Sequence, residues 1–80
     1  MIPITSPETL GKVLRRYRKD QGLSQREAGY KFNLTQKSIS NIESGLPGIR
    51  LKSLFRYMSA LGLEINLDYR VKSSKNEELW

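Results

Sequence analysis

The sequence has 80 residues and carries 14 Lys and Arg against 8 Asp and Glu, which gives a formal net charge of +6. It contains no cysteine and no histidine, and this excludes disulfides, the common zinc sites and histidine-based acid–base catalysis. No apolar run approaches the roughly 20 residues of a membrane span, and the first residues lack the regions of a signal peptide. We therefore expect one small cytoplasmic domain with no metal, no cofactor and no membrane partner. Because a domain of this size is marginally stable alone, we also expect oligomerisation.

The positive charge is unevenly distributed along the chain. Residues 12–26 contain a single acid, Asp20, and these basic residues: Lys12, Arg15, Arg16, Arg18, Lys19 and Arg26. Clustering of this kind is typical of a protein that binds nucleic acid, although a basic surface also keeps a protein soluble. Charge alone leaves both interpretations open.

The first helix is predicted to begin at Ser6, a capping residue that precedes a proline and an acid. Gly22 is predicted to end it. Between these positions the apolar residues recur with the spacing of one helix face and are Leu10, Val13, Leu14 and Tyr17.

Two short helices are predicted to follow. Ser24 and Glu27 have the spacing of a capping box, which starts a second helix that runs to about Phe32. Thr35 can cap a third helix in the same way, and Gly45 ends it. The apolar residues of the third helix, which should face the core, are Ile39 and Ile42.

The fourth helix is predicted from the clearest apolar stripe in the chain, and Gly62 ends it. The stripe consists of Leu51, Leu54, Phe55, Met58 and Leu61, all of which are expected to face the core. Residues 1–62 are therefore predicted to form a mainly α domain of four to five helices.

From residue 63 the period of the apolar residues changes from a helical to a strand period. In residues 63–71 apolar and polar side chains alternate, which is the pattern of a half-buried β-strand. Because the chain offers no clear second strand, we predict that two copies pair antiparallel about a two-fold axis to form a homodimer. The alternatives are a frayed segment or a pairing with residues 1–4. The residues predicted to mediate dimerisation are Leu63, Ile65, Leu67 and Tyr69.

Residues 72–80 have the composition of a flexible polar tail until the last two positions, Leu79 and Trp80. Exposed apolar and aromatic residues on such a tail are typical of anchors that dock into a partner protein. The alternative is that Trp80 folds back onto its own domain.

The third helix carries an unusual polar surface. An ordinary solvated helix face is rich in Glu and Lys, whereas this one prefers amides and hydroxyls, which are poorer helix formers. Amide and hydroxyl groups are the chemistry that reads base edges in the major groove. The residues off its apolar side are Gln36, Lys37, Ser40, Asn41 and Ser44.

The run "GLSQREAGYKFNLTQKSISNIESG" resembles the core of the Cro/C1-type helix-turn-helix family, in which the second of two short helices enters the major groove. The resemblance implies that Gln36 and Lys37 are the principal base readers, with Ser40 close behind, and that Asn41 contacts backbone or base. It implies that Gln25 binds phosphate and buttresses Gln36. The further DNA contacts expected in and beside the motif are Ser38, Arg15, Arg16, Arg26, Arg50 and Lys52.

The resemblance also implies a partly buried ion pair between Arg18 and Glu43, which removes Arg18 from the expected DNA contacts. Three positions depart from the family pattern. Ala28 and Gly29 are smaller than usual, and Asn33 replaces a turn glycine. We expect the missing bulk to come from Tyr30 and Phe32.

The segments "GLEINLDYR" and "EELW" resemble the C-terminal part of HipB-type antitoxins. The resemblance implies a nucleoid-associated homodimer on palindromic double-stranded operator DNA that represses its own operon. It also implies that Leu79 and Trp80 bind a HipA-like serine/threonine kinase toxin. The alternatives are a stand-alone repressor of the phage or restriction-modification type and a protein-interaction module without DNA. An enzyme is not expected, because no titratable pair is arranged for proton transfer.

Overall fold

The computed structural model describes residues 2–70. Their fold consists of four helices, which are α1 Pro7–Asp20, α2 Gln25–Phe32, α3 Gln36–Glu43 and α4 Leu51–Ala60. The mainly α class predicted from the sequence is confirmed. The predicted tail, residues 72–80, and residue 71 of the predicted strand lie outside the described residues. No helix within residues 2–70 is long and apolar enough to cross a membrane.

The predicted helix starts are confirmed by side-chain caps. The hydroxyls of Ser6 and Thr35 each accept a hydrogen bond from the N–H three residues on, at 3.1 and 3.0 Å. Ser24 and Glu27 form the reciprocal capping box, with bonds of 2.9 and 3.0 Å. Helices α2 and α3 have only eight residues each and would not be stable alone. Their caps help to fix the residues at which they begin.

The core lies where the four helices meet. Leu14 of α1, Ile39 and Ile42 of α3 and Tyr57 of α4 are each at most 1% exposed. The rest of the buried apolar cluster consists of Ala28, Leu54, Met58 and Leu61. Every helix contributes to this one cluster, so the orientation of α3 depends on all of the others.

The predicted core face of α4 is wrong at two positions. Leu51 and Phe55 are 69% and 51% exposed, whereas Tyr57 is fully buried. Leu54 and Met58 face the core as predicted. Leu51 and Phe55 flank one edge of the buried stripe and Tyr57 flanks the other, and the helical period does not distinguish the two edges. On the Tyr57 edge the ring is buried and the hydroxyl donates to Glu43 of α3.

The small residues of α1 and α2 allow the helices to approach α3 and its preceding turn closely. A Cβ at Gly29 would lie 2.7 Å from the carbonyl oxygen of Leu34, and a Cβ at Gly11 would overlap the backbone of Glu43. Gly29 is therefore required by packing, and its cost in helix propensity is secondary. Phe32 packs against the core as expected, but Tyr30 is 91% exposed and supplies no bulk there.

Residues 63–70 form neither a helix nor a paired strand within the described part of the chain. Leu63 packs against the core, but Ile65, Leu67 and Tyr69 are 46%, 92% and 82% exposed. Residues 2–4 form no strand with this segment either. Pairing of the segment across a homodimer stays a prediction.

Candidate nucleic-acid interface

Helix α3 is the centre of the candidate interface. Ile39 and Ile42 fix one side of it in the core, at 0% and 1% exposure. The opposite side presents Gln36 and Lys37, which are exposed, and Ser40 and Asn41, which are partly exposed. Ser38 is also partly exposed and lies near the Ile42 side of the helix. The helix therefore shows a polar surface of amides, hydroxyls and one ammonium group, as the sequence predicted.

The connection between α2 and α3 fixes the angle of that surface. Asn33 adopts the left-handed conformation, with φ of 60°, which asparagine tolerates better than most residues. The N–H of Leu34 then donates to the carbonyl of Gly29 at 2.8 Å and Thr35 caps the next helix. Two short helices joined by a tight turn, the second with an exposed polar surface, form a helix-turn-helix.

A buried carboxylate lies behind this motif, at the C-terminal end of α3. Arg18 donates to Glu43 through Nε at 2.7 Å and Nη2 at 2.9 Å, so the predicted ion pair is present. Arg18 Nη1 also donates to the carbonyl of Leu23 at 2.6 Å. Gln25 Nε2 donates to Glu43 Oε1 at 3.1 Å, and the hydroxyl of Tyr57 donates to Glu43 Oε2. One residue from each helix thus takes part in this network.

The ionisation of the network follows from these contacts. Burial alone would raise the pKa of Glu43, but the hydrogen bonds from Arg18, Tyr57 and Gln25 and the Arg18 charge outweigh it, and the pKa lies below its ordinary value of 4.5. Burial and the bond to Glu43 raise the pKa of the Tyr57 hydroxyl, and the bond to Glu43 raises the pKa of Arg18. The network therefore holds an ionised pair and a neutral phenol at neutral pH.

A family model described as Helix-turn-helix matches residues 14–67, which include α2, the turn and α3. The chain belongs to the Cro/C1-type helix-turn-helix family. No curated protein sequence matches the chain significantly.

Solved structures of HipB resemble this helix-turn-helix protein. The chain is 28% identical to those titled "Structure of HipA-HipB-O2-O3 complex" and "HipB-O4 20mer complex", with a TM-score of 0.78, and the match covers 86% of this chain and 97% of each of those. The clp gene regulator ClgR from C. glutamicum is 27% identical, with a TM-score of 0.65 over 81% of this chain and 85% of that one.

Gln25 makes a contact beyond those that the family resemblance implies, because its side-chain amide donates to Glu43. Its binding to phosphate and its support of Gln36 stay predictions. This contact was not predicted, because it joins residues 18 apart in sequence that only the packing of α2 on α3 brings together. In the sequence, only the spacing of the helix-turn-helix motif indicates that Gln25 lies near Glu43.

The basic residues of the helix-turn-helix domain fall into two groups. Arg26 at the start of α2, and Arg50 and Lys52 at the start of α4, are exposed. Arg16 is also exposed, but it lies on the side of α1 opposite the buried Gly11, which contacts α3. Phosphate contacts by Arg15 and Arg16 stay predictions.

Proposed function

We propose that this protein is an antitoxin that binds operator DNA, represses its own operon and neutralises a HipA-like serine/threonine kinase toxin. The observation that carries the proposal is the surface of α3, which is fixed in the core by two isoleucines and exposes base-reading amides and hydroxyls. Gln36 and Lys37 are its principal base readers. Ser38, Ser40 and Asn41 complete the contacts of the recognition helix, and Gln25, Arg26, Arg50 and Lys52 bind the DNA backbone.

The active form of the protein is a homodimer on a palindromic operator. Residues 63–71 of two copies pair antiparallel and bury Leu63, Ile65, Leu67 and Tyr69. The exposure of Leu67 and Tyr69 in the single chain supports this step, because large apolar side chains this exposed on a small protein mark an interaction surface. The pairing sets the two recognition helices about one turn of DNA apart, or a multiple of it.

The kinase partner is proposed from two observations. The match covers 97% of a chain in the structure titled "Structure of HipA-HipB-O2-O3 complex". The sequence also contains Leu79 and Trp80, which are proposed to insert into the toxin. A stand-alone repressor is the alternative, and it predicts no stable complex with a kinase encoded beside this protein.

Operator binding is tested by fluorescence anisotropy with duplexes from the protein's own promoter. Gln36→Ala should weaken the operator complex by about 1 to 3 kcal/mol and relax the preference at one base position. Lys19→Ala removes an exposed residue of α1 and serves as the control, with little change. An equal loss for Gln36→Ala on random DNA would contradict its assignment as a base reader.

The phosphate contacts are tested by the salt dependence of the same measurement. The logarithm of the affinity should fall linearly with the logarithm of the salt concentration, by about 0.9 in slope for each phosphate contact. A slope near zero would exclude the proposed DNA interface.

Toxin binding is tested by deleting Leu79 and Trp80 from the full chain. Operator affinity should be unchanged, whereas co-purification with the neighbouring kinase-like protein should be lost. Loss of operator binding in the deletion variant would assign these residues to the fold or the dimer.

A further inference from the structure

The carboxylate of Glu43 is saturated with donors. Oε2 accepts from Arg18 Nε and the Tyr57 hydroxyl, and Oε1 accepts from Arg18 Nη2 and Gln25 Nε2. An ionised carboxylate offers about four acceptor positions, so these four bonds fix its orientation. Each donor group therefore also has its position fixed by the others.

Gln25 is the member of this network at the candidate DNA surface. It is the first residue of α2 and is partly exposed. A planar side-chain amide has two N–H bonds that diverge by about 120°, so when one is directed to Glu43 the other is directed away from it. That second N–H has no hydrogen bond within the described residues, and it is available to a phosphate oxygen.

The charge of Arg18 makes this arrangement compatible with DNA. An unpaired carboxylate beside the first turn of α2 would repel a phosphate group. Arg18 contacts both oxygens of Glu43 and compensates its charge, while the pair remains almost fully buried, at 5% and 3% side-chain exposure. Glu43 can thus orient Gln25 without opposing its ligand.

The hydroxyl of Tyr57 has no packing function that a phenylalanine would lack. The ring is fully buried and lies 6.2 Å from the ring of Phe32, and phenylalanine would fill nearly the same volume. The hydroxyl adds a bond to Glu43, which loses one of its two Oε2 donors without it. The carboxylate could then rotate and release the Gln25 amide.

We infer that Tyr57 and Glu43 are positioning residues for DNA binding, and that they act by holding the Gln25 amide so that its second N–H donates to a backbone phosphate of the operator. The inference rests on the proposed DNA-binding function. It places a determinant of operator affinity on the buried face of α4, on the far side of α3 from the DNA surface.

A double-mutant cycle in operator affinity tests the inference. Tyr57→Phe and Gln25→Ala should each weaken operator binding by about threefold to tenfold, the range of one hydrogen bond. The double variant should bind no more weakly than Gln25→Ala alone, because the hydroxyl acts only through the amide. If the two losses multiply, or if Tyr57→Phe binds like the wild type, the inference is wrong.

Two controls separate positioning from general damage. Tyr57→Phe combined with Gln36→Ala should give losses that multiply, since the Gln36 side chain makes no hydrogen bond to the network within residues 2–70. Tyr30→Phe removes a hydroxyl from a residue that is 91% exposed and should leave operator affinity unchanged. A wild-type chain that binds no promoter duplex would overturn the proposed function itself, whereas wild-type binding with an additive cycle overturns only this inference.

A measurement on the unmodified chain covers the case in which Tyr57→Phe fails to fold. In ¹⁵N-resolved NMR spectra, one of the two side-chain amide protons of Gln25 should exchange with water more slowly than those of Gln36. Addition of operator should shift mainly the other proton. Equal exchange rates for both protons, or no shift with operator, would overturn the inference.

Discussion

The helical domain and the segment that follows it differ in how far their largest apolar side chains are buried. Within residues 2–62 the largest core residues, such as Ile39 and Tyr57, are fully buried, and the one buried carboxylate has four donors. In residues 63–70, Leu67 and Tyr69 are 92% and 82% exposed. The helices thus complete their own core, and the segment adds little to it beyond Leu63.

This difference predicts that substitutions in the two regions will affect different properties of the protein. A substitution at a buried position of the helical domain should change the free energy of unfolding, since the core is closely packed and each buried polar group depends on a partner. A substitution at an exposed apolar position of residues 64–70 should change association and leave the fold of one chain intact. The following predictions test this separation, in order of decreasing effect on the free energy of unfolding.

Arg18→Ala should destabilise the protein most. It leaves Glu43 buried without a counter-ion, which costs about 3 to 5 kcal/mol, and urea denaturation followed by circular dichroism measures the loss. Arg16→Ala removes the same side chain from an exposed position of α1 and should change the free energy of unfolding by less than about 0.5 kcal/mol. Equal losses for the two variants would show that the buried pair is not needed.

Gly29→Ala should destabilise the protein by about 1 to 3 kcal/mol, although alanine is the better helix former by about 1 kcal/mol. The added Cβ would lie 2.7 Å from the carbonyl oxygen of Leu34, and that backbone oxygen has little freedom to move. The same denaturation experiment measures the change. Lys31→Ala, at an exposed position of α2, is the control for helix propensity, and a stabilised Gly29→Ala variant would contradict the close approach.

Stability should fall in acid because of Glu43. Its pKa is lowered in the folded protein, so its contribution is fully present above the ordinary value of 4.5 and is lost as the pH falls through the folded value. The melting temperature should therefore decrease below about pH 4.5. Glu27, whose pKa is also lowered, is exposed, so Glu27→Gln separates the two groups. If Glu43→Gln melts with the same pH dependence as the wild type, Glu43 is not responsible.

Leu67→Asp should have the smallest effect on unfolding of the dilute chain, less than about 0.5 kcal/mol, because Leu67 is 92% exposed. In sedimentation velocity the same variant should change from dimer to monomer, since a charge would be buried at the proposed interface. Asp68→Asn, at the next position along the chain, should remain dimeric. An unchanged sedimentation coefficient for Leu67→Asp would exclude residue 67 from the dimer interface.

The local features of the fold could be predicted from the sequence. Ser24 and Glu27 start α2, and Asn33 makes the turn, because each acts on backbone within a few residues of itself. The face of α3 could be predicted for a similar reason, since Ile39 and Ile42 leave only one side of an eight-residue helix for the core. The ion pair between Arg18 and Glu43 followed from family resemblance, and the spacing of the residues did not predict it.

The tertiary structure decided which contacts cross between the helices. Tyr57 is buried in place of Phe55 and its hydroxyl donates to Glu43, and the Gln25 amide donates to the same carboxylate. Gly29 is required because α2 lies against the carbonyl of Leu34. Sequence by itself determined the helices, their caps and the polar surface of α3, because hydrogen bonding within a helix is local. The carboxylate shared by four helices depended on distances between residues far apart in the chain, and only packing sets those distances.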